Sequence, residues 1–339
     1  MRIAWVLYGE LDARTGGTIY DRIVVDGLRE AGDEVEVVSL DPRPRHRNGL
    51  PLALRIMRSR PDVVVGDELC FRELAVAFTL VRPLTRVWRV LLVHHLTSWE
   101  PELGRRARLA AGTAETVALR AADRIVVTSE STKKRLNRDE IVVARPGCDR
   151  LPLEPAKRGT NTILFVGAII PRKRVLEMVR AFAEGAHPNA RLVIAGPGTA
   201  DPDYAKTVAA TIDELGLRAR VSMIGEIGDS ELARRLASAD ALVLPSSLEG
   251  WGIVATEAIR AGTPVIASGA SAEALSSCTS AVIFFGDPRD GLATALSDFT
   301  RSSALRSELA KNALACAPSL PTWADCVASF QKAARPPSE

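Results

Sequence analysis

The feature that most constrains this chain is an alternation that runs, stops and starts again. Ile3–Tyr8 reads as a strand, and Gly16-Gly17 closes the loop after it. From Thr18 to Ala31 the residues Ile19, Ile23, Val24 and Leu28 share one helical face, with Gly32 just past the end. Residues 35–40, 62–66, 89–93, 124–128 and 141–144 read as further strands, and 107–120 as a helix. Near Leu151–Asn161 the pattern lapses into Pro-Leu-Glu-Pro-Ala-Lys-Arg-Gly, a linker-like stretch. It then resumes, with strands at 162–166, 191–195, 221–224, 241–244 and 265–267 and helices at 175–184, 204–215, 231–237, 253–261, 291–299, 304–316 and 322–334. Strands alternating with helices require βαβ units, a mostly parallel sheet and helices on both faces. A length of 339 residues holds two such domains. The fold class is therefore α/β: doubly wound domains over residues 1–150 and 151–320 with a cleft between them, followed by a helix over 321–339. That last helix carries Trp323 and Phe330, which need a surface to bury them, and packs back on the first domain.

Composition narrows the class. The apolar run at the N-terminus is too short for a signal-peptide core, and Arg82, Arg86 and Arg89 break the most apolar stretch, Phe78–Leu96. The five cysteines have no metal-ligand spacing and no disulfide framework, so reduced thiols in a cytoplasmic protein are expected. A formal charge of +3 gives no ground for nucleic-acid binding. The basic excess lies in the first half, with Arg43, Arg45, Arg47, Arg55, Arg58 and Arg60 in one loop and Arg105, Arg106 and Arg108 at the start of a helix.

The most informative stretch runs from Leu244 to Ala258. A strand ends at Leu244, a Pro/Ser loop follows, and Glu249-Gly250-Trp251-Gly252-Ile253 opens a helix that carries Glu257. Glycines there let a ligand approach the backbone and its free N–H groups. From spacing alone, two readings are open: a pair of ligand-binding carboxylates, or a helix cap beside a solvated Glu.

This stretch resembles the donor-site signature of the GT-B glycosyltransferase family 4, two glutamates with seven residues between them, the first followed by Gly-aromatic-Gly. The resemblance extends through Gly16-Gly17, Leu164-Phe165-Val166-Gly167, Pro171-Arg172-Lys173, Leu192–Gly196, Val221–Gly225, Ala239-Asp240 and Gly262–Ile266. It implies two Rossmann-like domains and a retaining, metal-independent transfer of a sugar from a nucleotide sugar to an acceptor, with no cofactor. By the same resemblance Glu249 bonds hydroxyls of the donor sugar, and Glu257 bonds the nucleotide ribose. Arg172 and Lys173 stand where the family places cations on the diphosphate, and backbone near Gly225 meets the base. Gly16 and Gly17 lie near the donor phosphates. Positive charge is what a leaving diphosphate needs. One departure is Ala168, where many members carry Arg after the glycine; Arg172 or Arg174 can supply that charge.

His94 or His95, at the end of the fourth strand, matches the family's active-site histidine; only one of two neighbours on a strand faces a given side. The four histidines make no ligand cluster, so no metal is expected. Asp201-Pro202-Asp203 reads as a turn or helix cap, and Gly196-Pro197-Gly198 lacks the third glycine of a dinucleotide fingerprint. The acceptor is a sugar, a lipid-linked molecule or a small molecule. For the arginine groups two readings stand: a solvated loop, or peripheral contact with an anionic membrane surface at the inner face. Two other functions remain as alternatives, a nucleotide-sugar epimerase of the same fold and a non-catalytic nucleotide-sugar-binding partner subunit.

Overall fold

Two parallel sheets organise the chain. The computed structural model describes residues 1–41, 48–138, 140–154, 156, 158–286 and 290–337. Two compact units form: Met1–Pro146 with Thr322–Glu339, and Gly147–Pro321.

The first unit holds strands β1 (Arg2–Tyr8), β2 (Glu34–Leu40), β3 (Val63–Asp67), β4 (Trp88–Val93), β5 (Arg124–Val127) and β6 (Ile141–Val143). Helices α1 (Gly16–Glu30), α2 (Gly49–Ser59), α3 (Phe71–Val81), α4 (Arg105–Ala121) and α5 (Glu130–Leu136) connect them. The second unit holds β7 (Thr162–Val166), β8 (Arg191–Ala195), β9 (Val221–Gly225), β10 (Ala241–Leu244), β11 (Val265–Ser268) and β12 (Val282–Phe285). Its helices are α6 (Val175–Gly185), α7 (Pro202–Glu214), α8 (Asp229–Ser238), α9 (Ile253–Arg260), α10 (Asp290–Arg301) and α11 (Ser303–Cys316). The last helix, α12 (Trp323–Ala334), belongs to the first unit. The α/β class expected from the alternation is what forms.

Among the described residues every strand pairing is parallel. Parallel sheets are covered on both faces, so their strands read as continuous apolar runs; β3, β10 and β11 are buried along their whole length. The first sheet has the order β2-β1-β3-β4-β5-β6, the second β12-β11-β10-β7-β8-β9. The order reverses between β1 and β3 in one and between β7 and β10 in the other. Ligands on such sheets sit beyond the carboxyl ends of the strands at these reversals.

In the first unit α12 covers one face of the sheet near β1. Phe330 stacks on Trp5 with centroids 5.2 Å apart, and Tyr20 of α1 meets Trp323 edge-on at 5.9 Å. The buried Tyr20 hydroxyl donates to the Ala144 carbonyl at 3.1 Å. Burying Trp323 and Phe330 this way stabilises the unit by roughly 1.5–3 kcal/mol per large side chain.

Three readings change. Residues 49–59, read as part of an arginine-rich loop, form α2, where Arg55 pairs with Glu36 at 2.7 Å; Arg43, Arg45 and Arg47 lie outside the described residues. Gly16 and Gly17 do not close a loop but open α1. Thr15 caps that helix, exchanging hydrogen bonds with Thr18 at 3.0 and 3.2 Å. Cys278 and Cys316 form a disulfide rather than reduced thiols, while Cys70, Cys148 and Cys326 are buried outside it. Strand β12 and helices α3 and α5 carry no sequence reading at all. Among the described residues, no helix is long and apolar enough to cross a membrane.

Candidate functional site

At the reversal of the second sheet, the loops after β7 and β10 meet. Gly167 and Gly196 let the β7 and β8 ends come this close: a Cβ on Gly196 would lie 1.9 Å from the Gly167 carbonyl oxygen. The Gly-Pro-Gly at 196–198 is thus a packing requirement. The short turn Pro171–Lys173 then ends at Arg174 in left-handed backbone (φ 52°) and feeds α6. This turn is stitched to the loop after β10. Arg172 donates to the Leu248 carbonyl at 2.6 Å, and the Ser247 amide donates to the Arg172 carbonyl at 2.9 Å.

The stitching brings Lys173 Nζ to 2.5 Å from Glu249 Oε1, with side chains only 15% and 8% exposed. Burial pushes the Glu249 carboxyl up, but Lys173 and Arg172 outweigh it and hold the group below its ordinary value. Glu249 is therefore a fixed carboxylate beside two cations. After it, Trp251 is buried and Gly252 takes left-handed backbone (φ 99°) as the residue before α9, whose first residue is Ile253. A side chain at Gly252 would have room but not the right backbone, since left-handed φ disfavours any Cβ. Gly225, at the end of β9, also has positive φ (71°) and open space around its Cα.

Glu257 lies one turn into α9 and is 1% exposed. Arg150 binds it through Nε at 2.7 Å and reaches Asp229 through Nη1 at 2.9 Å. Burial pushes Glu257 up to about 7 even so, with Arg150 opposing. Arg150 went unread in the sequence; it lies 107 residues from its partner, and only the fold joins them. Asp201 accepts from the Tyr204 amide at 3.0 Å and caps α7.

At the reversal of the first sheet, β3 and β4 deliver Asp67, Glu68, His94 and His95. The two histidines diverge. His94 Nε2 lies 3.7 Å from Asp67 Oδ2, with Tyr20 edge-on to its ring at 5.1 Å. His95 sits between Glu68 (3.5 Å) and Glu100 (3.1 Å). Glu68 accepts from the backbone amides of both histidines. Burial pushes His94 down to about 3, so its imidazole is neutral, while burial pushes Asp67 up to about 6 and raises Asp21 and Glu68 well above the usual carboxylate range. Gly17 faces the His94 ring: a Cβ there would meet Nε2 at 3.5 Å. Gly16, its neighbour, has open space. Asp21, Asp67 and Glu68 were missed because an isolated acid in a sequence carries no sign of burial.

Residues 153–315 match the family Glycosyl transferases group 1. Over 211 residues the chain is 33% identical to the D-inositol 3-phosphate glycosyltransferase of Mycolicibacterium smegmatis, covering 53% of this chain and 47% of that protein. Over 249 residues it is 31% identical to the enzyme of that name from Mycobacterium marinum, covering 64% and 52%. The chain thus spans about half the length of the curated relatives it matches. Among solved structures, sucrose-phosphate synthase from Thermosynechococcus elongatus superposes with a TM-score of 0.85 at 19% identity, over 98% of this chain and 97% of that one. Anabaena HepE in complex with UDP and glucose gives a TM-score of 0.76 at 17% identity, over 98% of both chains. At these identities the structures establish the fold, which is GT-B.

Proposed function

We propose that this chain, whose residues 153–315 are a domain of the glycosyl transferases group 1 family, transfers a sugar from a nucleotide-diphosphate sugar to an acceptor with retention of anomeric configuration. The observation that carries the reading is the Lys173–Glu249 pair, held with Arg172 at the point where the second sheet reverses. A carboxylate beside two cations suits a donor that presents hydroxyls on its sugar and negative charge on its diphosphate. Arg172 and Lys173 offset the charge that develops as the diphosphate leaves; such preorganised groups typically contribute the largest catalytic effect. Glu249, ionised and pinned, accepts from the sugar hydroxyls. The residues Gly250, Trp251, Gly252 and Ile253 offer backbone at the start of α9, where free N–H groups and the helix dipole favour phosphate oxygens. Glu257 accepts from the ribose while sharing its charge with Arg150, and backbone at Gly225 meets the base. His94, neutral at physiological pH, accepts or donates a hydrogen bond to the donor sugar without adding charge; His95 is committed to Glu68 and Glu100. Gly16, with open space around it, and Gly17, beside the His94 ring, give the donor phosphates backbone at the start of α1. No step in this scheme requires a metal.

The relatives' name supplies a first acceptor to try, D-inositol 3-phosphate, and the exposed Arg105, Arg106 and Arg108 at the start of α4 suit a phosphate-bearing acceptor. The test incubates the full chain with UDP-, GDP- and ADP-sugars, with and without acceptor, and follows product by proton NMR. Transfer from one donor class with an α-linked product from an α-linked donor is expected. An inverted product overturns retention. Failure to turn over any donor, together with failure to bind any, overturns the reading.

A further inference from the structure

Two buried aspartates of the first unit, Asp21 and Asp67, have no part in the proposed sugar transfer. Asp21 projects from α1, Asp67 ends β3 and His94 follows β4, so three separate elements converge at the sheet reversal. One ligand-type atom from each lies within 4.8 Å of the other two. Asp21 and Asp67 are 1% and 4% exposed. Asp21 Oδ1 and His94 Nε2 are buried without a hydrogen-bond partner, and among the described residues no Lys or Arg pairs with either aspartate. Glu68, the remaining acid here, is already engaged by the His94 and His95 amides and the His95 ring. Two buried carboxyls beside an orphaned imidazole nitrogen, with no cation to offset them, are costly to maintain. Orphaned buried polar atoms of this kind call for a water or an ion.

We propose that Asp21, Asp67 and His94 bind one divalent first-row transition ion, of the class of Zn²⁺ or Mn²⁺. Two carboxylate oxygens and an imidazole nitrogen form a mixed donor set that suits these ions rather than Ca²⁺ or Mg²⁺. The two aspartates neutralise the ion, and His94 Nε2, buried with no hydrogen-bond partner, supplies the imidazole ligand. Donors around such an ion stand roughly 3.0–3.4 Å apart, given bonds of about 2.1 Å. Closing to that spacing from 3.7 Å between Asp67 and His94, and from within 4.8 Å for Asp21, takes rotation of the aspartate carboxylates about their soft terminal torsions. Tyr20 against one side of the His94 ring fixes its orientation, as partners outside a metal's ligand set commonly do. The site lies within the first unit and shares only His94 with the donor reading.

The test uses the full chain, stripped with chelator and equilibrated with Zn²⁺ or Mn²⁺ alone at neutral pH. Elemental analysis after desalting is expected to find about one ion per chain, with a rise in the unfolding midpoint from mass action. Asp67→Asn and Asp21→Asn each remove a ligand, so affinity is expected to fall by more than about 100-fold, the upper end of what outer partners alone contribute. A Co²⁺ form of the unmutated chain supplies a reading that does not depend on a variant folding: its visible bands should report a low-coordinate site with nitrogen ligation. The proposal is overturned if the unmutated chain retains no stoichiometric ion and shows no Co²⁺ bands. It is also overturned if both variants fold and hold the ion undiminished. In the first case, Asp21 and Asp67 are an acid pair neutralised by protons. None of these readouts involves sugar transfer, so donor turnover can fail or succeed independently.

Discussion

Lys173→Met isolates the charge on which the donor reading depends. In the native protein Nζ and Glu249 Oε1 are 2.5 Å apart and both side chains are largely buried. Removing one partner of a buried pair leaves the other uncompensated, typically at about 3–5 kcal/mol. Arg172 also acts on Glu249 and softens this, so a loss of about 2–4 kcal/mol in unfolding free energy is expected. The effect on turnover has a different origin. Losing one preorganised group that stabilises developing charge lowers kcat by about 10²–10³. Comparing Lys173→Met, Glu249→Gln and the double variant separates the two effects. If Lys173 serves only to neutralise Glu249, the double variant regains stability and turns over as fast as Glu249→Gln alone. If Lys173 also meets the diphosphate, the double variant regains stability but turns over more slowly than Glu249→Gln alone. The assay is urea unfolding beside nucleoside-diphosphate release at saturating donor. A kcat for Lys173→Met within about twofold of the unmutated chain refutes the reasoning, because 10²–10³ was assigned to that charge.

The glycines give a graded contrast: Gly252→Ala has room but left-handed backbone, costing about 1–2 kcal/mol in urea unfolding, whereas Gly196→Ala drives a Cβ into the Gly167 carbonyl and should cost more than about 3 kcal/mol or prevent folding. Glu257 titrates at about 7 in the folded chain against an ordinary 4.5, so the folded state binds more protons between these values. Stability from this group therefore falls as pH rises from about 4.5 to 7, by on the order of 3 kcal/mol, and Glu257→Gln should flatten that slope in chemical unfolding followed across pH. Breaking the Cys278–Cys316 disulfide, which closes a separation of 38 residues, should lower stability by up to about 4 kcal/mol, read as a lower unfolding midpoint in dithiothreitol that Cys316→Ala reproduces without reductant.

How much of this was legible in the sequence depends on the range of the interaction. The alternation of β-branched runs and helical spacing fixes the class, because periodicity is local. Helix α3 escaped it: the exposed side of Phe71–Val81 carries Val76 and Leu80 beside Arg72 and Thr79, so apolar residues on both sides blur the stripe. Strand β12 is only Val282–Phe285, too short to separate from the irregular stretch before it. In the site, Glu249, Lys173 and Arg172 were legible through motif order, but their mutual contact was not, since it joins loops 76 residues apart. Arg150 on Glu257 and the Asp21–Asp67–His94 convergence were illegible for the same reason. The disulfide was too: two of five cysteines pair only because β12's approach and α11 lie side by side.

The central claim is that the carboxyl edge of the second sheet holds a nucleoside diphosphate through Arg172 and Lys173. Calorimetric titration of the full chain with UDP, GDP and ADP tests it most directly. One of the three is predicted to bind at one site, with affinity weakened at least about tenfold in Lys173→Met, which corresponds to about 1.4 kcal/mol. Binding of none of them, or undiminished binding by a folded Lys173→Met, contradicts it.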